Sequence, residues 1–344
     1  MKNSKKVNIL LADYGESGKG SEFLKGLCQS THEKWEIKCW KNNVGHGSKL
    51  FDFGRYFGYF WHPFCIFLSR GGYKTIVAWQ QFYGLIFSFY CKLFHVKKEN
   101  RCIVMTFIYK DKAGFVGKIY KAFISYCIHS KYIDRIVVYS KSEVSYYAAL
   151  FHVSEKKFQF IPLGMQEESK KIKLFDDKDT PFLLSVGRSN RDYAFLFRSV
   201  ADIPYQVIVL SDSIDPNVEI PANVKVYRNV KGDKYLKLLA RSKCVLIPLK
   251  DPNISSGQLV ILQAMRYGVP IIVTESVAVQ DYVTDGIDAV VVKKEENEFR
   301  ETIIKLMDNE GERQRISQNE RKTFKAKFSM KTMGENVGKM IGEL

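Results

Sequence analysis

Three loops in this sequence combine glycine with side chains able to hold an anion or move a proton. The first reads Asp13-Tyr14-Gly15-Glu16-Ser17-Gly18-Lys19-Gly20-Ser21. Its Gly-Glu-Ser-Gly-Lys string falls short of a phosphate-binding P-loop, which needs Gly where Asp13 stands and Ser or Thr where Gly20 stands. What remains is a glycine-rich turn with two carboxylates. Backbone N–H groups around Gly15, Ser17 and Gly18 can bind a polar ligand, and Asp13 or Glu16 can act as a general base. A plain turn with Ser17 capping the next helix is the alternative. The second loop, Gly187-Arg188-Ser189-Asn190-Arg191-Asp192, follows an apolar strand. Gly187 permits a sharp turn, and the guanidinium forks of Arg188 and Arg191 suit a diphosphate or stay solvated. The third, Ser255-Ser256-Gly257-Gln258, opens a helix. Ser255 or Ser256 is a good N-cap, Gly257 lets a ligand approach the first-turn N–H groups, and Gln263 lies about two turns on.

Loops of this kind need rigid elements, and the sequence supplies them as an alternation of short apolar strands with helices. Strands are predicted at 7–12, 35–40, 75–79, 101–106, 135–139 and 158–161, with helices at 20–29, 81–94, 115–131 and 141–151. After the polar run 166–180 the pattern restarts, with strands at 182–186, 206–210, 224–227, 244–248, 270–273 and 289–292. Helices are expected there at about 192–201, 233–241, 258–267 and 295–307, then a charged helical end from 309. Strand, helix, strand without tight hairpins predicts parallel sheets covered on both faces. The expected organisation is an α/β protein of two Rossmann-like domains facing across a cleft. They occupy 1–165 and 181–325, joined by a linker at 166–180, with a helix at 326–344 packing back on the first.

Composition narrows the class. With 344 residues, 46% hydrophobic and 26% charged, the chain is globular and holds about two domains. Seven cysteines, odd in number and without a CxxC pair, read as buried thiols rather than a disulfide framework. The net charge of +16 is uneven: residues 1–169 carry 25 Lys and Arg against 13 Asp and Glu, residues 170–344 carry 28 against 24. Between Phe51 and His95 stand ten Phe, five Tyr and two Trp. Basic plus aromatic suits a nucleic acid or an anionic membrane surface. No RRM, KH or helix-turn-helix pattern is present, which disfavours nucleic acid. The apolar stretch at 7–12 is too short for a signal sequence. Segments 56–69 and 75–91 are too short or too interrupted to span a bilayer, but an interfacial helix tolerates Trp, Tyr and Lys.

From Ser255 to Val273 the chain resembles the signature helix of glycosyltransferase family 4, also called glycosyl transferases group 1, which are GT-B enzymes using nucleotide sugars. The matching residues are Leu259, Ile261-Leu262, Ala264-Met265 and Gly268-Val269-Pro270. Ser185-Val186-Gly187-Arg188, Ile136-Val137-Val138-Tyr139-Ser140, Phe160-Ile161-Pro162-Leu163-Gly164 and Asp285-Gly286 are similar to further family pieces. The resemblance covers about 135–295 and before that is architectural. It implies a GT-B fold and a donor diphosphate held by Arg188 and Arg191 beside Ser255, Ser256, Gly257 and Gln258. The family's paired glutamates align with Ser255 and Gln263. Gln263 can still bond a hydroxyl, whereas Ser255 is too short to replace the first carboxylate.

The resemblance implies a hexosyltransferase with a nucleotide sugar as co-substrate and no resident cofactor, and the lack of residue pairs with metal-ligand spacing predicts that it is metal-independent. Its acceptor would be a lipid-linked or oligosaccharide molecule in bacterial-type polysaccharide or glycolipid synthesis. The expected location is cytoplasmic, with peripheral contact at the inner face of an anionic membrane and no nucleic-acid partner. A retaining reaction needs no protein base; an inverting one needs Asp13, Glu16 or Asp111 at the acceptor hydroxyl. No histidine pair has metal-ligand spacing; His46 and His62 read as loop residues, and His32, His95, His129 and His152 as helix-end residues. The missing glutamates keep open an alternative, a catalytically degenerate relative acting as a binding or partner subunit.

Overall fold

A computed structural model describes residues 6–12, 19–39, 49–167 and 181–344. The chain divides into two compact units, Met1–Pro162 with Met330–Leu344, and Leu163–Ser329. Both are α/β, because both repeat the same unit of a buried apolar strand followed by a helix.

In unit 1, β1 (Val7–Ala12), α1 (Lys19–Thr31), β2 (Trp35–Cys39), α2 (Lys49–Leu68) and β3 (Tyr73–Ala78) are followed by α3 (Gln81–Leu93) and β4 (Arg101–Val104). Then come α4 (Gly114–Ile128), β5 (Arg135–Val138), α5 (Lys141–Phe151) and β6 (Phe158–Phe160). The strands pair in parallel in the order β2-β1-β3-β4-β5-β6. Strand alternation splits the core. Leu10, Val77, Ile103 and Val137 pack under α1, while Ile9, Ile76, Cys102, Val104 and Ile136 face the α2–α5 side.

One sequence expectation is corrected here. The apolar stretch after Phe51 belongs to a 20-residue helix, α2, carrying Pro63 inside it. His62 therefore lies on a helix rather than a loop. It is buried with its ring edge-on to Tyr83, centroids 5.1 Å apart, and burial pushes its imidazole down to about 4. His32, His95 and His152 sit at helix ends with positive φ, the left-handed conformation that terminates a helix.

Unit 2 repeats the pattern with β7 (Phe182–Val186), α6 (Tyr193–Val200), β8 (Gln206–Leu210), β9 (Val224–Tyr227), α7 (Gly232–Arg241) and β10 (Cys244–Ile247). It continues with α8 (Gln258–Tyr267), β11 (Ile271–Thr274), β12 (Val290–Val292), α9 (Glu296–Asp308) and α10 (Glu310–Lys327). Its parallel order is β12-β11-β10-β7-β8-β9. The sheet centre, Leu184, Val245, Ile247, Ile271 and Val273, is buried against α8 residues Ile261, Leu262 and Met265. α11 (Met330–Gly342) returns to unit 1 and packs on α1. The contact is backbone-close: a Cβ on Gly26 would lie 2.0 Å from the Lys331 carbonyl oxygen, and one on Gly334 would lie 2.1 Å from that of Phe23.

None of the seven cysteines forms a disulfide. Burial pushes the thiols of Cys91 and Cys127 up to about 12. No helix among the described residues is long and apolar enough to cross a membrane.

Candidate active site

In open parallel sheets a ligand sits beyond the carboxyl ends of the strands. In unit 2 that edge is built by the loops after β7, β8, β9 and β10. β7 ends at Val186, and Gly187 turns the chain with φ +136°. A side chain there is excluded twice: by the backbone angle, and because a Cβ would come within 2.8 Å of Arg191 Nε. The Gly187 carbonyl accepts hydrogen bonds from Tyr193 Oη (2.6 Å) and Ser211 Oγ (2.9 Å). Arg191 donates from Nε to the Val186 carbonyl (3.2 Å) and from Nη1 to that of Ser189 (3.1 Å). It therefore braces the turn from beneath, while Arg188 is exposed at the top.

The loop after β10 meets this turn through one side chain that sequence reasoning passed over. Asn190, at φ +54°, donates from Nδ2 to the Asp251 carbonyl and to Ser256 Oγ, both at 2.9 Å. Its Oδ1 accepts the Asp251 N–H (2.8 Å), and its carbonyl accepts the Lys250 N–H (3.2 Å). The signal was available: Asn tolerates the left-handed region, and its amide both donates and accepts.

Helix α8 opens on Gly257, whose φ is +95°, with no side chain capping its first turn. The expectation of a serine N-cap is thus corrected. Ser256 Oγ is taken by Asn190, and Ser255 Oγ accepts a hydrogen bond from Gln258 Nε2 (2.6 Å). The glycine leaves the helix start open on the ligand side, where the first N–H groups and the helix dipole favour an anion. Further along α8, Gln263 is half-buried, and its Oε1 is buried without a hydrogen-bond partner. An acceptor placed so can take a hydrogen bond from a ligand hydroxyl or from a water. Gly268, φ +65°, ends the helix as expected.

Beside the turn lies a cavity of about 170 Å³ lined by Gly187, Arg188, Ser211, Asp212, Asn229 and Lys231. Asp212 Oδ1 accepts the Asn229 N–H at 2.7 Å, joining the loops after β8 and β9. Arg188, Lys231, an open helix N-terminus and a polar cavity thus share one edge of unit 2. That arrangement can hold a phosphorylated ligand with a polar ring attached.

The remaining sequence candidates fall elsewhere. Asp13, Gly15, Glu16, Ser17, Gly18 and His46 lie outside the described residues. Asp111 is exposed in unit 1, where it accepts a hydrogen bond from Tyr109 Oη (2.8 Å) with Lys121 Nζ 4.0 Å away. Burial, and then that hydrogen bond, push the Tyr109 hydroxyl up to about 12. Among the described residues no group of three or more His, Cys, Asp or Glu could hold a metal ion.

Known structures place this architecture. A glycosyltransferase from Rickettsia africae ESF-5 matches with a TM-score of 0.65 at 11% identity, over 98% of each chain. Anabaena Alr3699/HepE, solved in complex with UDP, matches at 0.64 and 12%, over 99% of this chain and 100% of its own. WaaG, a glycosyltransferase involved in lipopolysaccharide biosynthesis, matches at 0.58 and 12%, over 97% and 99%. The fold is therefore GT-B: two α/β units, each built on a six-stranded parallel sheet. Residues 166–323 match the model of the family Glycosyl transferases group 1, the group that the sequence resembles. Comparison with curated protein sequences gives no match.

Proposed function

We propose that this chain is a glycosyltransferase that moves a sugar from a nucleotide-diphosphate donor to a lipid-linked or glycan acceptor, in cell-surface polysaccharide or glycolipid synthesis of the bacterial type. The observation that carries the reading is the joining of the Gly187–Arg188 turn to the open start of α8 by Asn190. In this reading the Arg188 guanidinium and the α8 N–H groups share the diphosphate charge. That charge grows as the bond from the sugar to the phosphate oxygen breaks, so these groups stabilise the leaving group where it needs it. Gln263 Oε1 accepts a hydrogen bond from a donor hydroxyl, and the cavity beside Gly187 and Asn229 takes the base. The acceptor oxygen bonds the anomeric carbon. Its proton passes to a diphosphate oxygen in a retaining reaction, or to Asp13, Glu16 or Asp111 in an inverting one. Charge neutralisation by protein groups asks for no resident metal or cofactor. The +12 balance of residues 1–169 suits an acceptor presented at an anionic cytoplasmic membrane face.

Calorimetric titration with UDP, followed by assay of UDP-sugar hydrolysis, tests the reading. Absence of nucleotide binding at millimolar concentration would overturn it. A non-catalytic binding subunit is the second reading, favoured by Ser255 and its partner Gln258, which put no carboxylate where the family carries one. Nucleotide binding without hydrolysis or transfer to any acceptor would select it.

A further inference from the structure

Unit 1 exposes apolar side chains where a water-facing helix layer should be polar. α2, α3 and α4 lie side by side on one face of its sheet. From Tyr56 to Leu68, α2 carries no charged residue at all. It buries Ile66 and Phe67 against the sheet and leaves Phe60, Trp61 and Leu68 exposed on its outer side. A helix segment that is apolar all round is one with two apolar neighbours, and among the described residues only the inner one is present. α4 repeats the feature: Phe115, Val116 and Ile119, one turn apart, are 76%, 72% and 55% exposed. Large apolar side chains exposed in clusters on α2 and on α4 mark an interaction site rather than ordinary scatter.

The charge around these residues says what covers them. Between Tyr56 and Tyr132 the chain has eleven Lys and Arg against two carboxylates, Glu99 and Asp111. Lys110, Lys112 and Lys118 are exposed and bracket the apolar turn of α4. Lys112 Nζ sits over the Tyr120 ring, 4.5 Å from its centroid, so this cation is held at the edge of the apolar turn by a cation–π contact. Apolar side chains that can enter an acyl boundary, ringed by cations that stay at headgroup level, form the pattern of an interfacial membrane contact. A protein partner would need only local charge complementarity; the exposed Lys110, Lys112 and Lys118 around the apolar turn, with one nearby carboxylate, Asp111, match a surface that is uniformly anionic.

We propose that the outer face of the α2–α3–α4 layer docks on an anionic lipid bilayer, with Phe115, Val116 and Ile119 entering the acyl boundary and Lys110, Lys112 and Lys118 at the headgroups. It deepens the proposed function, resting on that reading only for why the protein would visit a membrane.

The test is co-sedimentation of the full chain with vesicles of phosphatidylcholine alone or mixed with phosphatidylglycerol. Binding is expected to the anionic vesicles only, and to weaken between about 0.05 and 0.5 M salt. The triple variant Phe115→Ser, Val116→Ser, Ile119→Ser should lose at least about tenfold in partitioning with its melting unchanged. If that variant fails to fold, Lys110→Gln, Lys112→Gln, Lys118→Gln carries the test, with a similar loss and a flatter salt dependence. A chain that ignores anionic vesicles, or a folded apolar variant that binds as well as the parent, would overturn the proposal. So would a parent dimer that the apolar substitutions convert to a monomer without any vesicle binding, since a second copy would then be the occupant. UDP titration of the same preparations keeps the two readings apart: vesicle binding without UDP binding sinks the transferase, and the reverse sinks the docking surface.

Discussion

Asn190 Nδ2 stands 2.9 Å from Ser256 Oγ, and this bond ties the turn after β7 to the start of α8. Asn190 touches no reacting atom in the proposed reaction; it sets the spacing between Arg188 and the helix N-terminus. Removing its amide leaves the Asp251 N–H and carbonyl without their partner and lets the two loops drift. Asn190→Gly keeps the positive φ and deletes the bonds, so it isolates their effect. The expected result is a loss of roughly 1–3 kcal/mol in stability and a fall of about tenfold in UDP affinity, read by melting and calorimetry. Asn190→Ala should cost about 1 kcal/mol more, because alanine resists the left-handed region. If UDP affinity stays unchanged while stability falls, the bond shapes the fold and not the site.

Arg188 is the test of where the diphosphate lies. Its side chain is exposed, whereas Arg191 is committed to the Val186 and Ser189 carbonyls. The two arginines should therefore behave differently. Arg188→Ala should lower donor affinity by at least about tenfold, equal to about 1.4 kcal/mol, with the melting temperature unmoved. Arg191→Ala should lower both, since it removes the brace beneath Gly187. Unchanged affinity in Arg188→Ala would put the diphosphate elsewhere.

That difference between the two arginines also shows where the sequence is legible and where it stops. The twelve strands among the described residues could be read: the central ones are continuous apolar runs such as Ile271-Ile272-Val273, and the edge strands β2 and β9 alternate, as in Val224-Lys225-Val226-Tyr227. Gly187, Gly257 and Gly268 could be read because positive φ selects glycine. α2 escaped the list of helices because from Tyr56 to Leu68 it carries no charged residue and has Pro63 inside it, so the stretch read as a candidate membrane segment. Asn190 escaped because its partners, Asp251 and Ser256, are 61 and 66 residues away, and a bond across two loops leaves no local pattern. The serine cap failed for the same reason: Ser256 has the right chemistry at the right place, and a distant residue uses it first.

A second distant relationship is the crossing of α1 and α11. A packing motif of small residues lets backbones approach, and here Gly26 and Gly334 each face a carbonyl at a distance no side chain fits. Gly334→Ala raises helix propensity by about 1 kcal/mol yet must push the helices apart. The crowding should win, with a net loss of about 1–3 kcal/mol by chemical denaturation. Gly342→Ala, in the same helix with nothing within 4 Å of the added carbon, is the control and should be neutral or mildly stabilising.

Glu320 supplies the pH dependence. It lies on α10 completely buried, and burial first, then the nearby Asp288 carboxylate, hold its carboxyl well above the usual value of 4.5, against a smaller opposing pull from Arg321. Asp288 is itself buried and accepts hydrogen bonds from the Thr284 N–H and Thr323 Oγ1, both 2.7 Å long. Below pH 4.5 Glu320 is protonated in both the folded and the unfolded chain, and its ionisation contributes nothing to the difference. As pH rises past 4.5 the unfolded chain ionises at this position while the folded one stays neutral, so stability falls until the raised folded value is passed. Glu320→Gln keeps the shape of the neutral acid and cannot ionise. Its melting temperature should match the parent's near pH 4.5 and exceed it increasingly toward pH 8, by several degrees for each kcal/mol regained. A variant less stable than the parent at pH 8 would mean that the buried group is held as a carboxylate and neutralised by a partner such as Arg321.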